Sequence, residues 1–286
     1  EYLPVFYGQP PPAIPAGHDV YIVDFSYPLA QLDDIAMQQF LNGTERLFVL
    51  DHHASAQRDL ADVHSDHPRP NLLVRFDMEE SGATLTWKHL HGYHSLSEGQ
   101  ADPADMPYFF AYVRDRDLWQ WRLPDSKAIS LAYWALEKDW RSIEGFADAL
   151  EEGEGFWRIT TEGEGMQRYA NRLTVEQALR WRPGFIGGHS CLIVNATCLF
   201  SEVGDWLCTE FAKTPPGVLF VAYYFDRGDS KRQWGLRGHG KIDLSEVAKG
   251  YGGGGHPNAA GFVTAPDWCG DTPVDHGAVY TESPVP

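Results

Sequence analysis

Leu47-Phe48-Val49-Leu50-Asp51-His52-His53 is the stretch on which the fold turns. Four apolar residues in a row, too few for a helix and without alternation, read as a strand buried on both faces, as in parallel sheets. The run ends on a carboxylate and two imidazoles. Upstream, Val20-Tyr21-Ile22-Val23 is a second such run, and it too ends on an aspartate, Asp24. Between them, Leu29 to Leu41 has helical spacing at Leu32, Ile35, Ala36 and Phe40, with Asn42-Gly43 as a stop signal. Asn71 to Phe76 reads as a third strand, and Ser81 caps a helix running through Leu85 and Trp87 to Leu90. Strands alternating with helices imply a parallel sheet with right-handed crossovers. Ligands in such sheets bind beyond the carboxyl ends of the strands, where Asp24 and Asp51 fall.

From about Ala147 to Arg182 the chain is polar and mostly helical in spacing. A second pattern follows, with strands at Cys191–Val194, Val218–Tyr224 and Trp234–Arg237 and helices at Val203–Ala212 and Leu244–Lys249. The expected fold class is therefore α/β. A parallel-sheet domain is expected over residues 1–150, a helical connector over 151–185, a smaller α/β domain over 186–267 and a loose tail over 268–286. A cleft between the domains is the expected place for a substrate.

With 286 residues, 43% of them hydrophobic, the chain can bury a substantial core. The net charge of −17 argues against a protein that coats duplex DNA, because that affinity comes from Lys and Arg neutralising phosphates. A small anionic substrate held by a few local cations and a metal remains open. No stretch approaches the roughly 20 apolar residues of a membrane span, and no leader is seen. Cys191, Cys198, Cys208 and Cys269 lack C-x-x-C spacing, and the first three fall in a segment that reads as folded core. A reduced cytoplasmic protein is the expectation.

Asp51-His52-His53 offers hard oxygen and borderline nitrogen donors at one strand end, which suits Mn²⁺, Fe²⁺, Co²⁺ or Zn²⁺ better than Ca²⁺. A polar turn is the bland alternative. Gly252-Gly253-Gly254-Gly255-His256-Pro257-Asn258-Ala259-Ala260-Gly261 lets backbone approach a ligand closely, with amides free for an anion. The small residues at its end suit a helix packed tightly on a sheet. His89, His91 and His94, and the group Asp62, His64, Asp66 and His67, read as solvated surface. Trp119 and Trp121 read as core, with base stacking as the rival.

Taken together, these motifs resemble the DHH phosphoesterases that carry the DHH-associated domain. Asp24 matches that family's second motif, and Asp51-His52-His53 the next. Ser81-Gly82-Ala83-Thr84 resembles the helix start that follows, and Tyr112 to Trp119 the fourth motif. Trp234-Gly235-Leu236-Arg237, Asp243-Leu244-Ser245 and the glycine run follow the order of the associated domain. The likeness covers about residues 18 to 263. It implies metal ligation by Asp24, Asp51, His52 or His53 with His52 preferred, and one aspartate of the Asp115/Asp117 pair with Asp115 preferred. It gives His53 the second role, on substrate or in orienting the site, so that Asp51, His52 and His53 carry the chemistry. It gives Arg237, Gly254, Gly255 and His256 the substrate phosphate.

The family's first motif, a strand ending in histidine and aspartates, is not found before Asp24. It is expected upstream of residue 1, and a two-ion site needs it. The implied activity is metal-dependent hydrolysis of short single-stranded oligonucleotides to mononucleotides, with Mn²⁺ as the expected cofactor. Small nucleotides, such as phosphoadenosine phosphate or linear and cyclic dinucleotides, are the alternative substrates. A nucleotide-binding module without catalysis is the alternative of another class. The expected partner is a short single-stranded nucleic acid or a nucleotide, without a membrane, and a homodimer is compatible with this reading.

Overall fold

The computed structural model describes residues 2–5, 9–14, 17–41, 46–61, 63, 71–93, 102–212 and 219–271. Asn42-Gly43, Asp62, His64, Asp66, His67, His94, Val218 and the tail beyond residue 271 lie outside the described residues. The fold is mixed α/β, in two compact units, Glu1–Met166 and Gln167–Pro286.

In the first unit the chain forms β1 (Val20–Val23), α1 (Leu29–Leu41), β2 (Leu47–Asp51), the short α2 (Ala54–Asp59), β3 (Leu72–Phe76) and α3 (Gly82–Leu90). The strands make a parallel sheet in the order β1-β2-β3. β2 is central and every one of its residues is buried, which is why its sequence shows no alternation. Ile22, Leu47, Val49 and Leu72 face α1, packing with Leu32, Ile35 and Ala36. Each fully buried aliphatic side chain of this kind contributes about 1.5–3 kcal/mol. Tyr21 and Phe48 point the other way by strand alternation and meet His89 of α3. Ser81 and Thr84 close a reciprocal capping box at the start of α3.

Next come α4 (Tyr108–Asp117), α5 (Ser126–Trp134), α6 (Trp140–Glu151) and α7 (Gly153–Ala178). Tyr112, Ile129, Phe146, Leu150 and Ile159 bind α4 to α7 in one apolar cluster. A charged quartet ties α4 to α3. Lys88 Nζ lies 2.6 Å from Glu80 and 2.9 Å from Asp102, and Arg114 lies 3.2 Å from Glu80 and 2.5 Å from Asp102. Each charge faces two opposite ones, as burial of the nearly inaccessible Lys88 requires.

The second unit contains β4 (Arg182–Ile186), β5 (His189–Asn195), α8 (Phe200–Ala212), β6 (Phe220–Asp226), β7 (Arg232–Gly238), α9 (Leu244–Lys249), β8 (Gly254–His256) and β9 (Ala259–Thr264). Its sheet runs β4-β5-β6-β7-β9-β8, parallel only between β5 and β6. α8 packs on one face through Val203, Leu207 and Phe211, and α9 on the other through Leu244 and Ala248.

Four expectations are corrected here. The residues after His256 form β9, not a helix, because they complete a hairpin with β8 and pair on their other side with β7. β4 occupies the end of the stretch read as helical connector. The start of the tail is anchored: Trp268 packs edge-on against Trp234 at 4.8 Å, and Tyr251 donates to Asp271. Cys198 is exposed, unlike Cys191 and Cys208.

Candidate metal centre and the glycine-lined sheet face

The first site is built at the carboxyl ends of β1 and β2. Asp24 follows β1 with a left-handed backbone, φ 56°, a conformation aspartate tolerates better than most residues. Its N–H still donates to Leu50 O at 2.9 Å, so the turn bends away only after the ladder is complete. Gly82, first residue of α3, abuts this turn. A Cβ at Gly82 would stand 2.4 Å from Asp24 Cβ, so any side chain there displaces the carboxylate. The start of α3 thus lies against Asp24, and helix N-termini favour negative charge.

Asp51 is completely buried and its oxygens are saturated. Ser26 Oγ donates to Oδ2 at 2.6 Å, while the His52 N–H donates to Oδ1 at 2.7 Å. His53 Nδ1 lies 2.6 Å from the same Oδ1. Burial alone would raise the Asp51 carboxyl pKa, but the hydrogen bonds from His53 and Ser26, with the charge of His53, hold it below the usual range. His52 is buried, with Nε2 3.0 Å from Asp24 Oδ1 and 3.4 Å from Asp117 Oδ2. Burial would lower its pKa, but Asp24, Asp117 and Asp51 together raise it. Asp117 shows 40% of its side chain to solvent, yet desolvation and the charge of Asp24 raise its carboxyl against the pull of His52.

The carboxylate that faces His52 is therefore Asp117, not the preferred Asp115. Asp115 is 3% exposed and points to the loop after α4, accepting from the N–H of Arg122 at 2.8 Å and of Leu123 at 3.4 Å. Two residues on a helix differ by about 200° of rotation, so one turned to the loop leaves the other for the site. Candidate ligand atoms of Asp24, His52 and Asp117 lie within 4.8 Å of one another, and so do those of Asp24, Asp51 and His53. Asp24 is common to both groups. The mixture of oxygen and imidazole nitrogen suits a first-row divalent ion. Ser26 was not foreseen, although its place two residues after Asp24, in Asp-Phe-Ser, was a usable signal.

The histidines read as solvated surface are only partly so. His89 packs edge-on to Phe48 at 4.9 Å, and His91 stacks on Trp87 at 4.2 Å. Trp119 and Trp121 are half-buried, lie 5.0 Å apart and both take positive φ. The Arg116 guanidinium sits over each ring, at 4.5 and 5.2 Å.

The second unit places its expected residues on one sheet face. Arg237 pairs with Ala259, which pairs with His256, so all three share a row and a face. Two strand spacings separate Arg237 from His256, about 10 Å between backbones. The neighbouring row is Tyr223, Gly235, Gly261 and Gly254. The Tyr223 ring lies over Gly235, where a Cβ would stand 2.0 Å from it. Arg237 is braced from α8, since Ser201 Oγ accepts from its Nε and Nη2, both at 3.2 Å. Gly204 makes room for the arginine stem, which a Cβ would meet at 2.6 Å. Gly255 has φ 141°, beside the Pro257-Asn258 turn. Ser201 and Tyr223 were not foreseen as partners of Arg237.

No family model matches the chain. It is 25% identical over 261 residues to an uncharacterized protein, R106, of Acanthamoeba polyphaga mimivirus, covering 86% of this chain and 53% of that protein. It is 26% identical over 236 residues to the oligoribonuclease NrnB of Bacillus subtilis (strain 168), covering 79% of this chain and 54% of that enzyme. The chain thus spans about half the length of these curated relatives. Among solved structures, an uncharacterized protein from Helicobacter pylori G27 matches with a TM-score of 0.37 and 14% identity, over 91% of this chain and 80% of that one. A pGpG-specific phosphodiesterase, PggH, from Vibrio cholerae matches with a TM-score of 0.37 and 13% identity, over 85% and 84%. Likenesses this loose carry no argument about the site.

Proposed function

We propose that the chain is the core of a metal-dependent phosphodiesterase that hydrolyses short single-stranded oligonucleotides. The observation that carries this reading is the meeting of Asp24, Asp51, Asp117, His52 and His53 at the carboxyl ends of β1 and β2. Asp24, His52 and Asp117 would hold a divalent ion, with Asp51 and His53 beside it. Asp51 is the group best kept ionised, because Ser26, His53 and the His52 amide all donate to it or share its proton. Such an ion polarises a phosphoryl oxygen and makes water a nucleophile at neutral pH. Arg237, held by Ser201, would grip phosphate oxygens as a planar fork, and the glycine row would let backbone approach the same ligand. The likeness to the oligoribonuclease NrnB supports an oligonucleotide substrate.

The test is release of mononucleotides from a labelled RNA 5-mer with Mn²⁺, beside phosphoadenosine phosphate and a cyclic dinucleotide, on the complete protein. Stepwise shortening of the 5-mer that is lost in Asp51→Ala supports the reading. Turnover of only the small nucleotides would move the substrate class. Nucleotide binding without any turnover, in protein shown to hold metal, would make it a binding module.

A further inference from the structure

Parallel sheets are ordinarily covered on both faces. The α1 face of β1-β2-β3 is covered. On the other face, Tyr21, Phe48 and Leu73 form one row, and its outer members stay 39% and 44% exposed. An open depression of about 520 Å³ lies there, between the sheet and the last turn of α3. That volume lies within the range of small-molecule sites.

Its lining combines two chemistries. The Tyr21 and Phe48 rings stack at 4.7 Å and 7°, with His89 edge-on to both. Two arginines flank them. Arg46 pairs with Asp19 at 2.9 Å and lies 5.3 Å from the Phe48 ring centre. Arg75 forms no hydrogen bond or ion pair among the described residues, and its Nη1 is buried. A buried guanidinium nitrogen left without an acceptor is costly, although the rest of the partly exposed Arg75 side chain still reaches water. It is all the more notable in a chain of net charge −17, which has acidic groups to spare.

We infer that this depression binds a planar aromatic ring bearing an anionic group, and a nucleoside monophosphate is the class that meets both demands. The anion answers Arg75 and Arg46, and the ring lies along Tyr21 against Leu73. Phe48 precedes Asp51 by three residues on β2, about 10 Å along the strand. The depression reaches Leu50, the residue before Asp51, but neighbouring strand residues point to opposite faces, so it opens on the face away from the Asp51 side chain. The inference stands on this lining and does not depend on the proposed hydrolysis.

The experiment is equilibrium dialysis of labelled AMP against the full chain in EDTA, with Arg237→Ala as background so that the second unit's cation does not contribute. Saturable binding is expected. Arg75→Gln and Leu73→Glu should each weaken it about tenfold or more, the first by losing charge-assisted hydrogen bonds and the second by repelling the anion. Tyr21→Ala should weaken it about fivefold or more through lost stacking. Adenosine and inorganic phosphate should each bind more weakly than AMP. Leu73 and Tyr21 are exposed enough that their variants keep the fold, which a thermal melt checks. Unchanged AMP affinity in both Arg75→Gln and Leu73→Glu overturns the site. So does phosphate binding as tightly as AMP, or AMP binding that vanishes with Arg237→Ala. Hydrolysis of the RNA 5-mer that persists while AMP binding fails would sink this inference alone.

Discussion

The first unit crowds ionisable groups together and buries them; the second clears side chains away. Asp51, Asp115, Glu80 and Lys88 are all nearly inaccessible, and each is met by donors or by opposite charge. In the second sheet, Gly235 makes room for the Tyr223 ring and Gly204 for the Arg237 stem, while Gly261, Gly254 and Ala259 put little side chain between Arg237 and His256. A buried carboxylate keeps one position only when its lone pairs are saturated, so the first unit is a network in which a single loss spreads. Close approach over a strand needs only the absence of Cβ atoms, so the second should tolerate the loss of a polar group and fail where bulk is added.

The largest expected effect tests the network. Asp117→Asn should lower kcat by roughly 10³-fold, the scale of a preorganised electrostatic contact, while leaving the melting temperature within a degree or two. Asp115→Asn should do the reverse. It leaves two loop amides poorly met, at a cost of about 1–3 kcal/mol, and lowers the melting temperature by several degrees. Calorimetry beside steady-state kinetics separates the two; if the roles are exchanged, the assignment of Asp117 to the site is wrong.

Gly82→Ala comes next, because its methyl collides with the Asp24 carboxylate. A shift on the order of 1 Å in a positioned group costs about 10²-fold in rate, and a weaker metal titration should accompany it. In the second unit, Arg237→Ala should raise KM by roughly 10- to 100-fold with kcat little changed, as expected for lost charge-assisted hydrogen bonds. A fall in kcat of the same size instead would place Arg237 in the chemistry and blur the contrast between the units.

The smallest effect concerns acid stability. Burial would raise the Asp102 carboxyl, but Arg114 and Lys88 hold it below the ordinary value. A depressed folded pKa contributes stability above the unfolded value of about 4, lost as pH falls through the folded one. Asp102→Asn should therefore melt several degrees below wild type at pH 7, and the gap should close as pH falls below about 4. A gap that persists at pH 2 would show that the quartet acts through packing rather than charge.

Much of the fold was legible. β1, α1, β2, α3 and α9 lie where apolar periodicity and capping residues put them, because each buries a continuous run or carries its own stop signal. β9 was misread, since Ala and Gly carry no apolar period and only pairing with β7 makes them a strand. The quartet of Glu80, Lys88, Asp102 and Arg114 was invisible, because its members are scattered along the chain and meet only when α3 and α4 pack.

By itself the sequence determined which residue types stand at strand ends: Asp24 after β1, then Asp51, His52 and His53 after β2. Backbone hydrogen bonding and burial of apolar runs are local enough in pattern to show that. Tertiary structure alone decided which aspartate of α4 turns to His52, which serine saturates Asp51, and that Arg237 and His256 share a row. Those are matters of helix rotation, close approach and strand register, set by packing between segments far apart in the chain.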